Sequence, residues 1–206
     1  KHEDAGWRAR WDWTLFVTGV VPSLIFGVAM GNVLQGVPFR LAPDMHIFYE
    51  GSFFGLLNPF ALLCGLVSLA MLVMHGSAWL QLKAEGAVAQ RARSYGSAAA
   101  LLTLVLYALA GLVLWFWIDG YRVTGALPTG GPSNPLLKTA AHQPGAWFAN
   151  YASQAWLWAV PGMGLAGALL AFLAMRMRRA GIALLASALG IAGIILSVGV
   201  SMFPFI

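Results

Sequence analysis

The 206-residue sequence carries twelve Lys and Arg against seven Asp and Glu, a net charge of +5, yet charged residues make up only 9% of it and apolar residues 60%. Soluble domains carry about 25% charged residues, and a soluble fold of this size has too little interior to hide so much apolar surface. A soluble globular enzyme and a disordered chain are excluded, the few scattered cations exclude a nucleic-acid partner, and a polytopic all-α transmembrane helix bundle remains.

The segment from Lys1 to Arg10 is polar and leads into a long apolar run with no cleavage site, so it is not a signal peptide. The sequence has no initial Met and stops at Ile206 inside an apolar run, which reads as an internal piece of a longer multi-span protein. About 20 apolar residues in a helix cross the hydrocarbon core. Five stretches have that length, about 13–34, 60–82, 98–118, 156–175 and 182–206, and they are taken as one transmembrane domain spanning residues 1–206. None has a charged residue in its middle, and the runs are unbroken rather than alternating, which predicts helices and not strands.

Span one carries Gly19, Ser23, Gly27 and Gly31, each four apart. Small residues at this spacing let helices approach closely in lipid, and Pro22 beside them predicts a kink. Residues 36–58 are aromatic, with Phe39, Ile47, Phe48, Tyr49, Phe53 and Phe54, and are expected along the membrane interface or against the bundle. Asn32, Gln35 and Asn58 sit at span ends, where buried amides fix loops by bonding backbone; substrate contact is the alternative.

Span two puts Cys64, Ser68, Met71, His75 and Trp79 on one face. His75 is the one histidine inside a span and a candidate haem ligand or proton carrier. Against ligation, no second histidine stands at matching depth, and a hydrogen-bonded helix-interface histidine is the alternative. Cys64 is the single cysteine, so neither a disulfide within the chain nor a cysteine-held metal is expected.

Span three carries Thr103, Tyr107, Gly111 and Leu114 on one side and ends at Asp119, with Arg122 nearby. Asp119 reads either as a proton- or quinone-site carboxylate or as an end carboxylate paired with Arg122; Asp12 between Trp11 and Trp13 has the same edge position. In residues 119–155, Ser133-Asn134-Pro135 reads as a helix start, predicting a short helix over Leu136–Gln143 ended by Pro144-Gly145. Span five repeats the small-residue ridge with Gly193, Ser197 and Ser201. His2, His46 and His142 lie in polar segments and are expected to be solvated.

Cations set the orientation. Lys1, Arg8, Arg10, Lys83, Arg91, Arg93, Arg176, Arg178 and Arg179 fall on one side, and Arg40, Arg122 and Lys138 on the other. This predicts a cytoplasmic N-terminal segment, with 83–97 and 176–181 on the same side and 36–58 and 119–155 outside. Trp7, Trp11, Trp13, Trp79, Trp115, Trp117, Trp156 and Trp158 flank the spans, as aromatic belts do. No catalytic residue and no metal site is expected, since the motifs of nucleotide, protease and hydrolase chemistry are absent. A small-solute transporter of inverted repeats stays open on Pro22 and Pro161, although no midplane charge and no repeat accompany them. A self-sufficient haem protein using His75 is a third reading.

The run Gly31-Asn32-Val33-Leu34-Gln35-Gly36-Val37-Pro38-Phe39 resembles a hallmark of subunit II of the cytochrome bd-type quinol oxidases. Arg8 to Trp13, Leu56 to Phe60, Ile118-Asp119-Gly120-Tyr121, Ser133 to Leu136, Gly145-Ala146-Trp147 and Met202 to Phe205 resemble further segments in the same order. The resemblance implies a non-haem subunit II in a bacterial cytoplasmic (inner) membrane. Its partner would be a subunit I that ligates two haems b and one haem d. The complex would oxidise quinol, reduce oxygen to water and build a proton-motive force. It also implies a bound quinone in some members, a small accessory subunit in some, and contact with membrane lipid. The amino-terminal part of the family pattern, with its proton-path carboxylate, has no counterpart here. The usual and the cyanide-insensitive subtypes are not separated. Gly31, Asn32, Gln35, Gly36, Pro38, Phe39, Asn58 and Asp119 are the family-marked positions, and their expected role is architectural.

Overall fold

In a computed structural model, residues 5–125, 130 and 139–205 are described. Apolar composition drives these residues into helices, because a backbone in lipid must satisfy its own hydrogen bonds. Five helices are long and apolar enough to cross a membrane. They are α1 (Ala5–Gln35), α2 (Pro59–Lys83), α3 (Gly86–Trp117), α5 (Ala159–Arg176) and α6 (Ala180–Met202), with the short α4 (Ala149–Ser153) between α3 and α5. α1 runs continuously through Pro22.

α2, α3, α5 and α6 close into a four-membered ring in which each packs on the next, and α1 lies outside it against α2. The ring interior is built from small side chains. Ala78, Ala99, Ala100, Ala168, Ala171, Ala174, Ala183 and Ala186 are buried, with Met74 and Met175 filling the gaps. In lipid, helices gain little from hiding apolar surface, and close backbone approach supplies the packing attraction instead. Glycine takes this furthest where α5 crosses α6: a Cβ at Gly167 would fall on the Gly190 backbone, and one at Gly193 on Gly164.

Ala84 and Glu85 alone separate α2 from α3, and Met177 to Arg179 separate α5 from α6. We call this end of the bundle the turn end and the opposite one the loop end. The segment 83–97, expected as a connection, is almost wholly helical, because a helix continues into the polar layer where hydropathy falls.

At the loop end, residues 36–58 form a hairpin, β1 (Phe39–Leu41) antiparallel to β2 (Ile47–Tyr49), with Phe39 opposite Tyr49, followed by a 3-10 turn over Phe54–Leu57. A second hairpin pairs β3 (Gly120–Val123) with β4 (Ala140–Gln143), Tyr121 opposite His142. The short helix expected over Leu136–Gln143 is therefore corrected over Ala140–Gln143, which is a strand whose ladder partners lie about twenty residues earlier; Ser133 to Lys138 lie outside the described residues. Leu34, Phe60, Leu114, Trp147 and Met202 form a buried cluster under these hairpins.

Candidate functional site

The family-marked residues converge at the loop end. α1 ends at Gln35, and Gly36 turns the chain at φ 80°, a left-handed conformation that glycine adopts without strain. A Cβ at Gly36 would fall on the hydroxyl of Tyr121, which donates to the Gln35 carbonyl at 3.4 Å. One α-helical turn earlier, Asn32 is 7% exposed, and its Nδ2 donates to the Val28 carbonyl at 2.8 Å and to the Leu56 carbonyl at 2.7 Å. Asn58 caps α2, its Oδ1 accepting from the Ala61 N–H at 2.8 Å, with Pro59 as the first helical residue. Its Nδ2 donates to Asn32 Oδ1 at 3.1 Å. Two carboxamides thus tie the end of α1 to the start of α2. Just below, Gly31 meets α2 so closely that a Cβ would stand 2.6 Å from Ala61 Cα.

Asn32, Gln35, Gly36, Pro38 and Asn58 line a cavity of about 220 Å³ beneath the first hairpin. Gln35 Oε1 is buried there without a hydrogen-bond partner. Phe39 lies in β1 and is exposed. Asp119 is also exposed and makes no ion pair among the described residues. Its expected pairing with Arg122 is corrected: Arg122 Nη1 donates to Gln143 Oε1 at 3.4 Å. Extended backbone sends residues three apart to opposite faces, so Asp119 and Arg122 diverge.

A larger, apolar cavity of about 600 Å³ opens between α1 and the ring, with walls from all five long helices. Phe26, Met30, Cys64, Met71, Gly111 and Leu165 give it its apolar lining. Its polar margin is a chain of hydroxyls. Tyr107 donates to Ser197 Oγ at 2.7 Å, and Ser197 passes its own hydrogen to the Ile194 carbonyl at 2.7 Å. Tyr151 donates to the Ser197 carbonyl at 2.8 Å, and Ser201 donates to Tyr151 at 3.4 Å. Asn150, beside Tyr151 on α4, grips the end of α6 through the carbonyls of Val200 and Phe203 at 2.7 and 2.8 Å. Burial raises the ionisation of Tyr121 and of Tyr151 above the ordinary phenol value, with the Ser201 bond opposing the effect at Tyr151.

His75 lies nearer the turn end and does not line this cavity. Its Nδ1 meets Ser187 Oγ at 2.8 Å, joining α2 to α6. Ser187 has one hydrogen and gives it to the Leu184 carbonyl at 2.9 Å, so His75 is the donor and carries its proton on Nδ1. The imidazole thus serves a helix contact. Among the described residues no cluster of three His, Cys, Asp or Glu could hold a metal ion, and the apolar cavity offers no imidazole. These residues do not fit a haem. His46 is exposed and bonded to Asp44 at 2.9 Å; His142 is exposed with its ring 4.3 Å from that of Tyr121; His2 lies outside the described residues.

Tyr107, Ser197 and Ser201 were visible in sequence as one-sided polar positions at helical spacing, whereas Tyr151 and Asn150 gave no signal and Tyr121 stood out only within the Ile118-Asp119-Gly120-Tyr121 segment of the resemblance. They lie in loop-end segments whose contacts are 46 to 86 residues distant along the chain.

Five crossing helices, two closely packed glycine seams and polar groups held at helix contacts define a multi-pass membrane helix-bundle protein. The chain belongs to the family described as cytochrome bd terminal oxidase subunit II, whose profile matches residues 1–206. It is 47% identical over its whole length to "Probable cytochrome oxidase subunit 2" of Haemophilus influenzae, of which it covers 54%. It is 44% identical, again over its whole length and 54% of the relative, to "Cytochrome bd-I ubiquinol oxidase subunit 2" of Escherichia coli K12. Against "Cytochrome bd ubiquinol oxidase subunit 2" of Bacillus subtilis it is 28% identical over 87 residues, 42% of this chain and 25% of that one. The chain spans about half the length of the curated relatives with which it aligns end to end.

Proposed function

We propose that this chain forms part of the non-haem subunit II of a bacterial quinol:oxygen oxidoreductase and supports a haem-bearing subunit I. The observation that carries the reading is the family match along all 206 residues. The loop-end lock adds a physical reason, since Gly31, Asn32, Gly36 and Asn58 each make a contact that another residue would break. In the complex, haems b and d would carry electrons from quinol to oxygen. The work of this chain is to supply a rigid apolar wall that excludes water. The hydroxyls of Tyr107, Ser197 and Ser187 are spent on neighbouring helices and backbone.

We further infer that the turn end faces the cytoplasm, in line with the nine-to-three division of cations, and that the membrane is the inner membrane. The cavity of about 600 Å³ suits the tail of a bound quinone, its apolar walls taking isoprenoid units. The test uses the full-length parent protein, purified by affinity tag in mild detergent. The reduced-minus-oxidised visible spectrum is expected to show b and d haems, with a second large subunit on the gel. A haem-free protein that purifies alone would overturn the proposal. Gly111 borders the cavity with nothing within 4 Å of a built Cβ. The G111L variant is expected to lower quinone recovered by solvent extraction while leaving haem content unchanged.

A further inference from the structure

The turn end is strongly cationic, and the cations at its two short turns make no ion pair among the described residues. Lys83, Arg91, Arg93, Arg176, Arg178 and Arg179 stand at or beside the two short turns, and Glu85 is the one acid in those turns. Among the described residues the ion pairs are Arg40–Glu50 and Asp44–His46, both at the loop end.

Three details separate this end from an ordinary solvated charge layer. First, Arg93 is half-buried, and its Nε is closed to solvent with no hydrogen-bond partner. A half-buried guanidinium with no ion pair among the described residues favours an anion beside its charge. A Cβ at Gly96 would stand 2.6 Å from Ser77 Cβ and 2.8 Å from Met175 Sδ, so α2, α3 and α5 meet at that level. Arg93 is one turn closer to the end and Arg176 follows Met175 directly, which places both at the mouth of the bundle.

Second, α5 ends in a two-bond cap: the Arg178 N–H reaches the Met175 carbonyl at 3.1 Å and the Arg179 N–H reaches the Ala174 carbonyl at 2.8 Å. The left-handed residue of such a cap is usually glycine. Here it is Arg178, at φ 60°. A charged residue occupies a position where glycine would be less strained.

Third, two of these cations rest on aromatic rings. Lys83 Nζ lies 5.3 Å from the Trp79 ring and the Arg176 guanidinium 6.0 Å from that of Phe172. Trp79 is exposed, as a side chain at headgroup level is.

We propose that the turn end binds the phosphodiester head of an anionic membrane lipid, held by Arg93, Arg176 and Arg178, with its acyl chains along the neighbouring helices α3 and α5. A lipid is the source because the cations ring an apolar bundle and lie on aromatic faces, where a soluble anion has no second foothold.

The test titrates the delipidated full-length protein in mild detergent with phosphatidylglycerol or phosphatidylcholine, and counts retained lipid by native mass spectrometry. Phosphatidylglycerol is retained and phosphatidylcholine is not. R93Q and R178G each weaken retention about fivefold, R122Q at the loop end leaves it unchanged, and millimolar inorganic phosphate does not displace it. R178G relieves the strained cap, so its melting temperature is expected at or above that of the parent, which keeps the test valid if R93Q folds poorly. Equal retention of the two lipids, parental retention by R178G, or displacement by inorganic phosphate overturns the proposal, the last reassigning the site to a soluble anion.

Discussion

Replacing Asn58 by alanine removes two distinct interactions, and their sizes can be separated. The first is the cap: Asn58 Oδ1 accepts from Ala61 N–H at 2.8 Å, and losing such a cap costs about 1 kcal/mol. The second is the amide pair, Asn58 Nδ2 to Asn32 Oδ1 at 3.1 Å; interhelical polar bonds in membrane proteins couple by about 0.6 kcal/mol and at most about 1.7. N58A is therefore expected to cost about 2 kcal/mol in all. N58S keeps a capping oxygen and loses only the pair, so it should cost about 1 kcal/mol. N32A loses the pair together with its bonds to the Leu56 and Val28 carbonyls and should match N58A. The N32A/N58A double variant should fall short of the sum of the single variants by about the coupling, 0.6 to 1.7 kcal/mol. Equilibrium unfolding of the full-length protein in mixed micelles, followed by tryptophan fluorescence, gives all four values. If N58S is as costly as N58A, or if the double variant is strictly additive, the two-carboxamide tie does not carry the energy assigned to it.

Three further outcomes follow from the packing. Gly27 touches the Cys64 carbonyl so closely that any Cβ must move a helix, whereas Gly19 meets nothing within 4 Å; G27L should separate α1 from α2 and lower the melting temperature sharply, while G19A, a better helix former by about 1 kcal/mol, should be neutral or stabilising. G36A combines a left-handed backbone with a clash at the Tyr121 hydroxyl, and adding Y121F should recover part of its lost stability, measured in the same unfolding assay. Burial keeps the phenols of Tyr121 and Tyr151 neutral above the ordinary value of 10.0; the unfolded chain releases these protons first, so their contribution is complete below about pH 10 and is lost as pH rises through the folded values. A melting temperature that is level to pH 10 and then falls, less steeply in a Y121F/Y151F variant, is the expected result.

The spans were legible because lipid demands one thing of a sequence, an unbroken apolar run, and imposes it within a single segment. What lies beyond the hydrocarbon layer was less so. α3 begins at Gly86, twelve residues ahead of the apolar run read from about residue 98, because Gln90, Arg91 and Arg93 are good helix formers that hydropathy discounts. β4 was read as a helix end because its ladder partner, residues 120–123, is remote in sequence and no local rule reveals a pairing at that distance. At the candidate site the residue types were visible and their partners were not. Asn32 and Asn58 stood out as amides at span ends, yet their bond joins positions 26 apart. The large cavity left no signal of its own, since it is formed by the spacing of five helices and not by any one face.

The unequal connections at the two ends of the bundle bear on how the chain is threaded into a bilayer during synthesis. α2 with α3, and α5 with α6, are each joined by a turn so short that the two helices enter as one antiparallel pair. With the turn end facing the cytoplasm, as proposed above, the arginines at those turns would stay on the side from which the ribosome delivers them, and no guanidinium there would be carried through hydrocarbon. The segments passed across in that orientation would be the two hairpins of the loop end, where Arg40 is paired with Glu50 at 3.0 Å. Lengthening either turn would uncouple the members of a pair and leave each helix to find its orientation alone.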